Sequence, residues 1–161
     1  MLRRTAPLLT CLLAVPALAL APVSDTKVGD TLSLTGINTG EKLDVTVVKV
    51  VDPAGAGPYD HPASGDRFVS VQVKLKNTGT AVYKDSPSNG ATVIDKDGQR
   101  FTASLNNSTA GPPFPGAITI GTGKTALGFI TFEVPKTSRV VTVQFAMNSG
   151  FSDDVGEWQV H

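Results

Sequence analysis

Val69-Ser70-Val71-Gln72-Val73-Lys74-Leu75-Lys76 alternates apolar and polar residues without a break. Successive side chains of an extended chain point to opposite faces, so Val69, Val71, Val73 and Leu75 line one face and Ser70, Gln72, Lys74 and Lys76 the other. A strand with one dry and one wet face belongs in an antiparallel sheet that covers a core from one side. The flanking sequence repeats the pattern. Lys42 to Val51 begins with Leu43, Val45 and Val47 on one face and then changes phase to Val48 and Val50, which predicts a β-bulge. Further strands are predicted at Thr31 to Thr35, Ala91 to Asp95, Arg100 to Leu105, Ala117 to Ile120, Ala126 to Val134, Val140 to Ala146 and Glu157 to Val160.

Between these runs lie residues with turn chemistry: Asp97-Gly98 inside a tight hairpin, Asn77-Thr78-Gly79, Ser88-Asn89-Gly90, and the Pro-rich stretch Gly111 to Gly116. No segment beyond the amino-terminal leader shows a helical stripe. With 16 glycines, 11 prolines and short strands at regular spacing, the chain reads as a two-layer antiparallel β-sandwich. Val71, Val73, Ile130, Phe132, Val141, Val143, Phe145 and Trp158 are its expected core. Two longer loops, Asp52 to Gly65 and Asn106 to Gly116, are either binding positions at the sandwich end or passive connectors.

The amino terminus reads differently. Arg3 and Arg4 precede the apolar stretch Leu8 to Ala21, and small residues stand at Ala17, Ala19 and Ala21, the three parts of a secretory signal peptide. The apolar stretch would span about 21 Å as a helix, short of a hydrocarbon core of about 30 Å, and Pro16 would interrupt it. The expected division is a signal peptide over residues 1–19, with cleavage after Ala19 or as late as Ala21, a short segment 20–30, and one domain over 31–161. Leu8-Leu9-Thr10-Cys11 loosely resembles a lipobox, but apolar residues follow where a polar tether should begin, so export with cleavage is the preferred reading.

Composition then removes whole classes of chemistry. Cys11 is the single cysteine of the 161 residues, so the domain after the leader holds no disulfide, thiolate zinc site, blue-copper centre or cysteine nucleophile. Basic and acidic residues number 14 each, and loss of Arg3 and Arg4 tips the balance to mild acidity. Lys74, Lys76 and Lys84 are too few and dispersed for a nucleic-acid surface.

Several motifs invite chemistry. Gly123-Lys124-Thr125 is the tail of a phosphate-binding loop, yet Ile118 stands where the first glycine is required and a strand follows where a helix is needed. Asp95-Lys96-Asp97-Gly98 opens like a calcium loop but lacks the later ligands, and a β-turn accounts for it. Asp153, Asp154 and Glu157, with Ser152, form a denser acidic bend whose carboxylates are candidate metal ligands; a solvated turn and strand cap is the plainer reading. His61 and His161 have no partner at metal-ligand spacing, and Asp60, His61 and Ser64 lack the nucleophile turn of a hydrolase. No catalytic or cofactor-binding residue is assigned.

The runs Gly40-Glu41-Lys42-Leu43-Asp44-Val45-Thr46-Val47 and Arg67-Phe68-Val69-Ser70-Val71-Gln72-Val73, closing on Lys76-Asn77-Thr78-Gly79, resemble the secreted actinobacterial family known as domain of unknown function 4352. Asp85-Ser86-Pro87-Ser88-Asn89-Gly90-Ala91, the stretch Ala126 to Pro135 and the stretch Ser149 to Trp158 resemble later blocks of that family in the same order. The resemblance implies an immunoglobulin-like sandwich, similar to immunogenic secreted antigens of mycobacteria, released or displayed outside the cell. It implies no catalytic residues. The resulting expectation is a secreted, non-catalytic binding module without cofactor, engaging an extracellular protein, a cell-wall component or a small ligand, with no nucleic acid and no stable membrane span. A structural envelope protein without a specific ligand and a calcium-stabilised adhesion-type domain are the alternatives.

Overall fold

The computed structural model describes residues 26–161. The expected leader, its cleavage after Ala19 or Ala21, and Cys11 lie outside the described residues. Ten strands are present among those residues: β1 (Thr31–Thr35), β2 (Lys42–Ala54), β3 (Asp66–Asn77), β4 (Tyr83–Asp85), β5 (Ala91–Asp95), β6 (Arg100–Thr102), β7 (Ile118–Ile120), β8 (Thr125–Pro135), β9 (Val140–Ala146) and β10 (Val155–Gln159). One four-stranded sheet has the order β1-β2-β3-β8 and the other β10-β9-β5-β6, while β4 and β7 form a separate pair. Every strand pairing is antiparallel, and the two larger sheets make an immunoglobulin-like β-sandwich.

Val69, Val71, Val73 and Leu75 are all buried beside Ile130 and Phe132 of β8, in one apolar cluster with Val143, Phe145 and Trp158 of the opposite sheet. The phase change in β2 is a bulge: Val47 pairs with Val73 and Lys49 with Gln72, leaving Val48 unpaired. Val48 itself is exposed, so Val50, opposite Val71, carries the inward phase that the sequence assigned to both. A second bulge was not anticipated. On β9, Val140 pairs with Asp95 and Thr142 with Ile94, which sets Val141 aside as the extra residue. Val141 is therefore half-buried and Val140 takes the core position expected of it.

The predicted strand Arg100 to Leu105 ends at Thr102 because the chain then changes sheets. Ala103 bridges to Phe132 and the Ser104 amide donates to Thr131 O at 2.8 Å, carrying the chain onto β8. Strand β4 was unforeseen. Tyr83 is its one fully buried side chain, and its hydroxyl donates to Asp85 Oδ2 at 2.6 Å while accepting from the Asn148 amide at 2.8 Å. Burial and the Asp85 carboxylate push the Tyr83 phenol above its ordinary value. Burial would raise Asp85 too, but donors from Ser149 and Tyr83 outweigh it and hold the carboxyl below its ordinary range.

Trp158 closes the core from β10. Its indole is fully buried, and Nε1 donates to Asp30 O at 3.0 Å. Gly156, on the same inward face, leaves room for that ring: a methyl there would stand 2.6 Å from the indole edge. Gly156→Ala should therefore lower stability by about 1–3 kcal/mol through overpacking. Gly57→Ala, where nothing lies within 4 Å, is the control. Urea unfolding midpoints of the two variants check this, and equal midpoints would contradict the packing account.

Candidate functional site: two loops stitched over the outer face of one sheet

The wet face of β3 and β8 is not uniformly wet. Toward one end, Phe68 pairs with Glu133, Ser70 with Thr131 and Gln72 with Phe129. Phe68, Ser70, Phe129 and Thr131 are buried although they point away from the sandwich core. The two long loops lie over them.

The loop between β6 and β7 runs along the free edge of β8. Phe114 N donates to Phe129 O at 3.1 Å and Phe129 N to Pro112 O at 3.0 Å, so the loop satisfies edge groups that would otherwise pair with another chain. Phe114 then turns round the edge into the core cluster, with its ring 2.7 Å from where a Cβ on Gly128 would stand. Glycine at 128 is what admits it.

The loop between β2 and β3 is anchored at its stem. Arg67 grips Asp52 with two donors, Nε to Oδ1 at 2.6 Å and Nη2 to Oδ2 at 2.7 Å, a bidentate pair that fixes orientation as well as charge. The two loops also meet directly, because Thr109 N donates to Gly55 O at 2.8 Å. Below them Ser70 Oγ lies 2.6 Å from Ser108 Oγ and 3.1 Å from Thr131 Oγ1.

Glu133 ties the pieces together. Its Oε1 accepts from Ser104 Oγ at 2.7 Å and Asn106 Nδ2 at 2.9 Å, and its Oε2 from Ala63 N at 3.2 Å. The Ser104 hydroxyl and the Ala63 amide, with Asn106 adding to them against partial desolvation, hold this carboxyl below its ordinary range. One ionised side chain on β8 thus holds both loops. An open cleft of about 340 Å³, lined by Arg100, Phe101, Thr102, Ser104 and Glu133, lies beside it. Outward from this stitched base project Tyr59, 94% exposed, and Leu105, fully exposed, one from each loop.

The acidic bend is arranged otherwise. Asp154 Oδ2 accepts from Thr35 N at 2.8 Å, as a cap tying the β9–β10 loop to β1. Glu157 lies on the outer face of β10, accepting from Gln144 Nε2 at 2.7 Å and from Gln159 Nε2 at 3.3 Å. Asp153 is exposed in the bend. No group of three or more His, Cys, Asp or Glu side chains that could hold a metal ion occurs among the described residues. Asp95 Oδ1 accepts from the Asp97 and Gln99 amides at 2.9 Å each, which makes it the cap of the β5–β6 hairpin. Lys124 sits in a turn closed by its amide on Gly121 O at 2.9 Å, with Gly123 at φ +75° and Thr125 opening β8. His61 Nε2 lies 3.3 Å from Pro58 O within its own loop.

The model of the family described as Domain of unknown function (DUF4352) matches residues 36–155. The chain belongs to this family. No curated protein sequence matches it. Among solved structures, the DUF4352 domain is similar in fold to MPT63, a secreted protein from Mycobacterium tuberculosis, at 17% identity and a TM-score of 0.56, covering 83% of this chain and 95% of that one. It is likewise similar to the yjhA protein of Bacillus subtilis, at 17% identity and TM-score 0.58 over 84% of this chain and 99% of that one. A putative lipoprotein of B. subtilis, ycdA, gives 18% identity and TM-score 0.57 over 76% of this chain but 38% of its own length.

The sequence pointed to the two loops but not to the residue that unites them. Its signal was Glu133 itself, the lone carboxylate in the mainly apolar run Phe129-Ile130-Thr131-Phe132-Glu133-Val134 of this DUF4352 domain. Because the folded-state carboxyl lies below its ordinary value, its contribution is present above the ordinary glutamate range and is lost as the pH falls through the lowered value. Glu133→Gln keeps one acceptor oxygen for three donors and should loosen both loops at neutral pH. Pepsin cleavage at Tyr59 and Leu105, expressed as variant over wild type, is expected to exceed one clearly at pH 5 and to fall toward one as the pH drops through the lowered value of the Glu133 carboxyl. A ratio near one at every pH would contradict the stitch.

Proposed function

We propose that this DUF4352 domain is an exported, non-catalytic interaction module that engages a protein partner of the cell exterior through the two stitched loops. The observation that carries the reading is the pair Tyr59 and Leu105, displayed on loops whose backbones are fastened to β8 through the Ala63 amide on one and the Ser104 and Phe114 amides on the other. A large apolar side chain held out on a rigid support loses little freedom on binding, and aromatic anchors dominate the energetics of protein interfaces. Export rests on the n-region, apolar core and small residues of the leader, and it agrees with the description of MPT63 as secreted and of ycdA as a putative lipoprotein. The non-catalytic reading is supported by the engagement of Glu133, the carboxylate beside the cleft, with three internal donors, which commits most of its acceptor capacity to holding the loops.

The test compares wild type with Tyr59→Ala/Leu105→Ala as bait for proteins of the cell exterior. Both positions are exposed, so the double variant should unfold at the wild-type midpoint. Each anchor is expected to contribute about 1–2 kcal/mol, which makes retention of a specific partner fall at least about tenfold. Equal retention by both baits would overturn the assignment to this surface.

A further inference from the structure

Among the described residues, no loop covers the other half of the same sheet face. There the register sets Lys76 beside Asp44 and Thr125, Lys74 beside Thr46 and Leu127, and Lys49 beside Gln72, while Lys42 pairs with Thr35 one step beyond. Lys42, Lys76, Lys74 and Lys49 therefore follow one another along the β2–β3 seam. At two residues per step on one face, the four ammonium groups span about 20 Å. All four are exposed. Among the described residues none of the four is ion-paired or hydrogen-bonded; the Arg and Lys ion pairs at Asp52 and Asp97 involve Arg67 and Lys96. Asp44, the carboxylate within the stripe, accepts from Ser33 Oγ at 2.5 Å. Lys49 is held over the face, with Nζ 5.3 Å from the centroid of the Phe129 ring.

The bulge at Val48 is what makes the stripe. In unbroken alternation Lys49 would share the inward phase of Leu43, Val45 and Val47; the extra residue turns it outward, next to Lys74. A chain with 14 basic and 14 acidic residues thus shows four lysines and one acid on this half-face. Around them stand short polar side chains, Thr31, Ser33, Thr46, Gln72 and Thr125, with Leu127 as the exposed apolar member.

We propose that this half-face binds a linear polyanion of the cell exterior, a polymer of polyol units joined by phosphodiesters. Evenly spaced single charges call for a chain with one charge per repeat, and lysine is a compact point charge suited to phosphate, whereas no arginine, whose fork matches a carboxylate in two places, stands on this half-face. The hydroxyl and amide groups between the lysines match the hydroxyls between phosphates. Nucleic acid is disfavoured because the face presents no open aromatic for base stacking, Phe129 being capped by Lys49 and the β6–β7 loop. A membrane is disfavoured because a lone leucine supplies little apolar area to insert.

Titration calorimetry of the purified full chain with poly(glycerol phosphate), polygalacturonate, duplex DNA and phosphatidylglycerol vesicles decides it. Poly(glycerol phosphate) should bind tightest at low salt. Lys49→Gln/Lys74→Gln/Lys76→Gln should weaken it at least about tenfold and reduce the slope of log K against log salt by about three, since each lysine releases about one counterion. Lys84→Gln/Lys136→Gln/Arg139→Gln, with the same loss of charge outside the face, should leave both unchanged, as should Tyr59→Ala/Leu105→Ala. Equal weakening by the two triple variants, no binding by wild type, or tighter binding of any other titrant would overturn the proposal, whatever the outcome for the loop surface.

Discussion

The unbroken ladder between β3 and β8 is the constraint from which the rest follows. Its register runs from Asp66 opposite Pro135 to Lys76 opposite Thr125 without a bulge. Side chains on a strand alternate strictly, so this one register assigns every residue of both strands to the core or to the outer face at once. Inward it delivers Val69, Val71, Val73, Leu75, Ile130 and Phe132, the apolar wall on which the second sheet packs. Outward it aligns Glu133, Thr131 and Phe129 at one end and Leu127 and Thr125 at the other. A slip of one residue would bury Glu133 and Lys74 and expose the valines.

The outer face is then used in two ways, for reasons that lie in its residues. At the Glu133 end it offers acceptors and hydroxyls in fixed places, which suits the backbone amides and short polar side chains of two loops; Phe114, admitted by Gly128, adds an apolar anchor. At the lysine end the side chains are long, charged and well hydrated, and covering them with a loop would strip that hydration without a compensating partner. Loop cover and lysine stripe are complementary outcomes of one sheet surface.

Much of the fold is legible in the sequence because burial has a period. The alternation from Val69 to Lys76, the phase change near Val48 and the Asp97-Gly98 turn each state a local conformation that the structure adopts. Less legible are features that depend on a distant partner. Tyr83 to Asp85 is three residues long and becomes a strand by pairing with Ile118 to Ile120, more than thirty residues on. Val141 reads as core by alternation, and only the pairing with β5 sets it aside. The same holds for function. Glu133 is visible as an odd carboxylate, but its three donors come from both loops, and the lysines from β2 and β3 become one stripe only through the register and its bulge.

That the two long loops are built into the sheet rather than merely attached to it is the claim on which the surface assignments rest. Hydrogen exchange of the Ser104 and Phe114 amides, which donate to the Thr131 and Phe129 carbonyls of β8, tests it most directly. If the loops are part of the sheet, these amides exchange with protection approaching that of interior β8 amides such as Ile130, because each opens only with the sheet itself. Exchange at the rate of an unstructured chain, with β8 still protected, would contradict the account.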